Sequence, residues 1–389
     1  MKMLLAKVFN QYLDRPLQSK VRVLDRSLSA FQFYVGMGLV SGSVLTIILV
    51  SYFDLSPWVM IAIIVTAVLT FFAQAMLKKI VTGVEDLVYY RDMIVVILGV
   101  ALMLRLLNQP VLPYLDVTLF GVSMFQACGR IGCLMVGCCH GRPHAWGVRY
   151  DEKGAASEFP KYLIGVRLFP IQVLESFWLF CVVLPGMILV LNAGRPGEAF
   201  SWYILAYGTG RFFLEFARSD IERPYLWSFS EGQWTSLLLV CALALSELSG
   251  LLVFHSWHVI GAGVIAVTMI LVAVVKEFDN RAGHKLLLPS HIREVALAIE
   301  AGHEVNGRPN VKVGRTSLGV LISTSQIKTP EADINLYTLS SAGDELTENA
   351  ARAVARLLLR LRPSAASNEL IRGGCGVFHL LVRAQTLPH

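Results

Sequence analysis

Apolar residues in this chain come in runs about as long as a bilayer is thick. Phe31–Phe53, Pro57–Leu77, Met93–Leu112, Val117–Met135, Pro170–Leu191, Ala199–Phe216, Gln233–Phe254 and His258–Val275 are each apolar almost throughout. A helix needs about 20 such residues to cross hydrocarbon. The pattern therefore predicts seven or eight transmembrane helices, the eighth set off from the seventh by almost no loop at Trp257-His258. Arg105 interrupts the third run. The fourth is rich in Gly and small residues, and the sixth is shorter and carries Arg211 and Glu215.

The pattern changes after Lys276, where charges become frequent and apolar runs shorten. Leu318–Ser323, Ile334–Leu339 and Val377–Val382 read as strands. Glu348–Leu361 reads as an amphipathic helix with Ala350, Val354, Leu357, Leu358 and Leu361 on one face. Ser290–Ala301 reads as a short helix capped by Ser290 and stopped by Gly302. The expected fold class is an all-α polytopic membrane protein with a small C-terminal α+β soluble domain. Three regions follow: a basic amphipathic surface arm over 1–29, a transmembrane core over 30–276 and the tail domain over 280–389.

Composition agrees with a lipid-embedded chain. Of 389 residues 55% are hydrophobic and 16% charged, with a mean hydropathy of +0.58, where a soluble domain carries about a quarter charged residues. The net charge of +6 is small and no basic helix is interleaved with aromatics, which argues against a nucleic-acid partner. The N-terminus starts like a signal peptide, but Asn10, Gln11 and Asp14 interrupt any apolar core. Seven cysteines are unevenly placed, four of them between Cys128 and Cys139, which is not a secreted disulfide framework.

Ionisable residues at membrane depth are candidates for function because their burial is costly. Three constellations qualify. The first runs from Gly129-Arg130-Ile131-Gly132-Cys133 through Gly137-Cys138-Cys139-His140-Gly141-Arg142-Pro143. Its guanidiniums suit a phosphate, and its glycines permit close backbone approach. The second is Phe169-Pro170-Ile171-Gln172-Val173-Leu174-Glu175, where Gln172 and Glu175 share a helix face. The third spans Tyr207 to Asp220, where Arg211 and Glu215 are four apart and Tyr207 lies one turn before Arg211. Each has a plain alternative: a snorkelling arginine, first-turn polar residues, a structural salt bridge.

In this order the three constellations resemble the prolipoprotein diacylglyceryl transferase family. The family's central signature is similar to Gly-Arg-x-Gly-Asn-x-x-Asn-Gly-Glu-x-x-Gly-Arg-Pro, and Gly129, Arg130, Gly132, Gly137, Gly141, Arg142 and Pro143 match it. Phe169–Glu175 resembles its His-Pro-x-Gln-x-x-Glu segment. Tyr207, Gly208, Arg211, Phe212, Glu215, Phe216 and Arg218 match its late arginine helix, and Gly232-Gln233 its last motif. The resemblance covers roughly residues 30–255. It implies transfer of a diacylglyceryl group from phosphatidylglycerol, an anionic phospholipid, to the cysteine thiol of a prolipoprotein in the bacterial plasma membrane, with glycerol phosphate leaving. It further implies that Arg130 and Arg211 clamp the phosphate, Glu215 orients Arg211, and Gly141, Arg142, Gln172, Glu175 and Tyr207 line the substrate site.

The chain departs from the signature at its cysteines. Cys133 and Val136 stand at the Asn positions and Cys138 at the Glu position. The family's His-Gly-Gly has no counterpart, and Tyr89, Tyr90, Arg91 and Asp92 occupy that region. His140 is the local substitute for the missing histidine. The resemblance brings no cofactor, but Cys133, Cys138 and Cys139 are soft ligand types for Zn²⁺. A covalent lipid carrier and plain packing are the other readings of these thiols. Two further functions fit the same residues: a divergent paralogue with another thiol or hydroxyl acceptor, and a non-catalytic phospholipid sensor.

Two expectations for topology oppose each other. The family's active-site loop faces out of the cytoplasm. Here Lys2, Lys7, Arg15, Lys20, Arg22 and Arg26 precede the first run, and Lys78, Lys79 and Arg91 follow the second. Arg142, Arg149, Lys153, Lys161 and Arg167 follow the fourth, and Arg218 and Arg223 the sixth. With eight spans all of them share one side with the tail, and the positive-inside rule makes that side cytoplasmic.

Overall fold

The computed structural model describes residues 9–14, 17–23, 26–83, 89–152, 156, 159–192, 194–219, 225–227, 229–278, 285–301, 313–328, 333–362 and 365–384. Each of the eight apolar runs is a helix: α1 Ala30–Tyr52, α2 Pro57–Thr82, α3 Tyr89–Leu106, α4 Val111–Val136, α5 Ile171–Leu191, α6 Glu198–Leu214, α7 Glu231–Leu248 and α8 Ser256–Phe278. Five of them, α1, α2, α4, α5 and α8, are long and apolar enough to cross a membrane by length and composition. Their outer faces are carpeted with exposed large side chains such as Ile47, Leu69, Phe72, Leu184 and Ile270. A soluble protein would hide these residues; a bilayer solvates them.

Several boundaries move from the sequence expectation. The third run ends at Leu106 rather than Leu112, and the fourth helix starts at Val111 rather than Val117. Asn108 (φ 50°) and Pro110 reverse the chain between them. The seventh helix stops at Leu248, because Ser249 and Gly250 (φ 77°) turn it. The connection to α8 is therefore a real loop. Glu215 opens a short 3-10 turn, Glu215–Ala217, rather than lying within α6. Pro289 rather than Ser290 begins the first tail helix, and Gly302 lies outside the described residues.

Small residues set the closest crossing. On α1, Gly38 and Gly42 face α4, where a Cβ on Gly42 would come within 2.5 Å of the Gly121 carbonyl. A Cβ on Gly132 would press on the backbone of Phe31 at 3.1 Å. Association in lipid relies on such backbone approach, because burial of apolar area gives no drive there. This contact fixes α4, the helix that carries Arg130 and Cys133, against α1.

The bundle has two distinct ends. At one, Asp116 of α4 caps α6, accepting from the backbone N–H of Gly197 (2.6 Å) and Phe200 (2.8 Å). Glu247 meets His258 at that same end. The other end gathers the C-terminus of α4, the N-termini of α3, α5 and α7, and the last turn of α6. There Ser230 and Gln233 form a capping box at the start of α7.

The tail lies on this second end. Strands β3 Val313–Arg315, β4 Val320–Lys328, β5 Asp333–Ser341, β6 Ala365–Arg372 and β7 Phe378–Ala384 form one antiparallel sheet in the order β6-β7-β5-β4-β3. Helices α9 Pro289–Ala301 and α10 Glu348–Leu361 cover it. The same core continues into the loop after α4, through Val148, Tyr150, Phe159, Leu163 and Leu168. Arg360 of α10 donates to the Pro143 carbonyl at 3.3 Å. The tail is thus packed onto the loop that follows Arg130 rather than tethered beyond it.

The N-terminal arm is docked in the same place. Asn10 and Asp14 accept from the backbone N–H of Gly147 (2.9 Å) and Arg149 (3.0 Å), and Asp14 pairs with Arg167 at 3.0 Å. Lys20–Val23 (β1) and Arg26–Ser29 (β2) form a hairpin with Lys20, Arg22 and Arg26 exposed. Of the basic residues counted for topology, Lys2, Lys7, Arg15, Lys153 and Arg223 lie outside the described residues.

Candidate active site

Glu175, in the second turn of α5, is fully buried. Three arginines from two segments surround its carboxylate. Arg130 Nε lies 3.1 Å from Oε1, and Arg211 Nη1 and Arg218 Nη1 lie 3.1 and 3.3 Å from Oε2. The Tyr207 hydroxyl donates to Oε1 at 3.1 Å. Arg211 also pairs with Glu215 at 3.0 Å through Nη2, and Arg218 Nε lies 3.9 Å from the same carboxylate oxygen. Among the described residues the three guanidiniums share the two carboxylates of Glu175 and Glu215. Each buried charge is thereby held in place by opposite charge from another segment.

The chain reaches this arrangement by local rules. Tyr207 and Arg211 are one helical turn apart, so both reach Glu175 from one face of α6. Arg218 follows the 3-10 turn, where the chain becomes extended and bridges Gly141. A Cβ on Gly141 would stand 2.4 Å from the Phe169 carbonyl, so only glycine admits this crossing. Arg142 is stitched in beside it. Its N–H donates to the Ala217 carbonyl (3.0 Å), its Nε to the Arg218 carbonyl (3.2 Å), and its own carbonyl accepts from Phe169 N–H (3.0 Å).

Gln172, one turn before Glu175, donates to the Cys138 carbonyl at 2.9 Å. It ties the cysteine segment to the arginine cluster. Gly137 (φ 84°) ends α4 and Cys139 (φ 53°) turns the chain again, which brings the sulfurs of Cys133, Cys138 and Cys139 within 4.8 Å of one another. Hydrogen bonds from the Cys133 and Cys138 thiols hold Cys139 well below the usual thiol range, with Arg218 and Arg130 adding to the effect. His140 is buried; its Nδ1 contacts the Gly141 carbonyl at 3.0 Å and its ring packs on Phe159. A carbonyl only accepts, so Nδ1 carries the proton and Nε2 is the basic nitrogen. Among the described residues His140 pairs with no carboxylate or guanidinium.

The sequence reading brought Arg130, Arg211, Glu215, Tyr207, Glu175 and Gln172 forward, and the fold assembles all six. It gave Glu175 too small a part: the carboxylate at the centre is Glu175, and Glu215 holds the outer side of Arg211. It places Arg218 in the motif match and among the topological charges, with no role in the site. Its match to the end of the late arginine helix was the available signal. Tyr90 and Gln126 were also missed. Gln126 hydrogen-bonds Tyr207, and Tyr90 bonds Ser236 at 3.1 Å while its ring stacks edge-on against Tyr207 at 5.8 Å. Tyr90 and Tyr207 also line an apolar cavity of about 190 Å³ between α3, α6 and α7, together with Ile94, Leu98, Ile204 and Leu239.

Five helices long and apolar enough to span a bilayer, with a buried arginine–carboxylate cluster at one end of the bundle, define a multi-pass membrane protein. The chain belongs to the prolipoprotein diacylglyceryl transferase family, whose description matches it over residues 8–247. It is similar to the phosphatidylglycerol–prolipoprotein diacylglyceryl transferase of Clostridium tetani, 32% identical over 135 residues, covering 34% of this chain and 51% of the relative. A second such transferase, from Clostridium perfringens, is 31% identical over 148 residues, covering 37% and 54%. One from Dehalococcoides mccartyi is 29% identical over 126 residues, covering 32% and 46%. The chain spans about half the length of the curated relatives it matches.

Proposed function

We propose that this chain transfers the diacylglyceryl group of phosphatidylglycerol to the thiol of a prolipoprotein cysteine. The observation that carries this reading is the Glu175 cluster, in which three arginines converge on one buried carboxylate. A phosphodiester brings one negative charge, and its departure as a monoester adds more. Preorganised guanidiniums stabilise charge that grows in the transition state better than charge already present in the ground state. Arg130, Arg211 and Arg218 fill this role, and Glu175 and Glu215 hold them in place. The apolar cavity beside Tyr207 takes an acyl chain. His140 Nε2 is the proton acceptor on this loop. All eight helices cross the plasma membrane in this reading. The test is rescue of lipoprotein maturation in cells depleted of their own transferase, together with release of glycerol phosphate from phosphatidylglycerol by purified protein. Binding of the lipid with no release would instead identify a sensor.

A second reading keeps the chemistry and moves the acceptor to the cytoplasmic face. It is favoured by the exposed Lys20, Arg22, Arg26, Lys79, Arg149 and Lys161 on the site end. Arg142, Arg167 and Arg218 drop out of that count, because each is engaged in the fold. A variant retaining only Cys375, which is exposed on the tail, separates the two. Labelling by a membrane-impermeant thiol reagent in intact cells is expected for the prolipoprotein reading. Labelling only after permeabilisation assigns a cytoplasmic acceptor.

A further inference from the structure

Two of the three clustered cysteines, Cys133 and Cys138, stand where the resembling signature has Asn and Glu, and none of the three sulfurs pairs with the Glu175 carboxylate. All seven cysteines are free. Cys133 is buried at the end of α4, Cys139 is half-buried and Cys138 is exposed, so the trio is closed on one side and open on the other. Its three sulfurs lie within 4.8 Å of one another. A tetrahedral metal with bonds of about 2.3 Å to sulfur holds its ligands about 3.8 Å apart, which small side-chain rotations reach from here. Two left-handed backbone turns, at Gly137 and at the non-glycine Cys139, bring the sulfurs together. Such a conformation is disfavoured at a non-glycine residue and persists where the surrounding structure requires it.

The surroundings add a second line. Gln172 of α5 donates to the Cys138 carbonyl at 2.9 Å, which holds the trio beside the arginine cluster.

We infer that Cys133, Cys138 and Cys139 bind one zinc ion, and that its open fourth position takes the acceptor thiol. This rests on the transferase reading above. Three protein ligands with one exchangeable position is the arrangement of a catalytic zinc site, and a coordinated thiol is deprotonated outright. The acceptor thiol displaces water from the ion and releases its proton to solvent. Its sulfur lone pair then attacks the glyceryl carbon that bears the phosphate ester. The C–S bond forms as the C–O bond breaks, and the phosphate oxygen leaves with the bonding pair among the guanidiniums. The thioether product is a weak ligand and is replaced by water. With the ion in place, solvent takes the proton that the reading above gives to His140, because the sulfur is already a thiolate at the moment of attack, and no oxidant or reductant enters.

Elemental analysis of the full chain, purified in detergent under reductant from zinc-supplied cells, is expected to find about one zinc per chain. Cys138→Ser and Cys139→Ser should each bring this near zero, while Cys181→Ser and Cys375→Ser keep it. In cobalt-substituted protein, a lipobox peptide should add a thiolate-to-cobalt absorption band that its Cys→Ser counterpart does not. Wild-type protein without metal, or with a disulfide within the trio, overturns the inference whether or not the variants fold. Metal with no response to the thiol peptide overturns the assigned fourth ligand. Glycerol phosphate release, measured alongside, keeps the two readings apart. Metal-free protein that transfers lipid ends the zinc inference alone. Zinc protein that binds the peptide thiol but releases nothing ends the transferase reading alone.

Discussion

Glu175→Ala is expected to abolish transfer and to lower thermal stability more than any other single change in the site. The carboxylate is fully buried and balances Arg130, Arg211 and Arg218 at 3.1 to 3.3 Å. Without it Arg130 loses its carboxylate, and among the described residues Arg211 and Arg218 keep Glu215. Removing one partner of a buried pair costs about 3–5 kcal/mol, because the other charges stay desolvated and uncompensated. Glu175→Gln separates charge from shape. The amide keeps an acceptor for the Tyr207 hydroxyl but supplies no charge, so turnover should still collapse. Glycerol phosphate should then recover part of the lost melting temperature, since an added anion replaces the missing one. Thermal unfolding in detergent, with and without glycerol phosphate, reads this directly. Wild-type turnover and melting temperature in Glu175→Gln would show that the carboxylate does not organise the site.

Arg211→Ala is the second large effect. Arg211 bridges Glu175 through Nη1 and Glu215 through Nη2, so one planar fork locks two carboxylates on different elements. Its loss should lower the turnover rate by about 10²–10³-fold, the scale for removing one donor to a developing oxyanion. Expression should persist, because Arg218 still reaches both carboxylates. Arg211→Lys should recover little. An ammonium is a point charge and cannot span both partners in the geometry of the fork. Arg130→Ala should behave alike on turnover with a smaller stability change, since Arg130 meets Glu175 alone. Phosphatidylglycerol turnover by the two Ala variants at the wild-type rate would remove the arginines from the mechanism.

The ordered motifs brought the site within reach before any fold was known, yet its logic was displaced by one residue. Spacing along a helix made Arg211 and Glu215 an obvious pair, four apart. Their more central partner, Glu175, lies 36 residues earlier in the chain. Nothing local to either segment encodes that contact. Arg218 looked like a loop charge because it follows an apolar helix, and its burial comes from the strand that crosses Gly141. In the tail, Glu348–Leu361 was legible to the residue, since an amphipathic stripe is a local property. Strand β6, Ala365–Arg372, has no such local mark. It is an edge strand with Ser367, Asn368 and Glu369 exposed, so no alternation marks it.

The sequence by itself determined that this chain meets lipid, because hydrophobic run length is set by bilayer thickness and needs no knowledge of neighbours. It also determined the family, since the glycine and arginine positions of the motifs are read in order along one strand of text. The tertiary structure decided what those residues do together. It made Glu175 the hub, admitted Arg218, drew three cysteines into one cluster, and seated the arm and the tail on the loop after Arg130. These are contacts between segments tens to hundreds of residues apart. They are fixed by how glycine-lined helices cross and where each helix ends, which the distances along the chain do not carry.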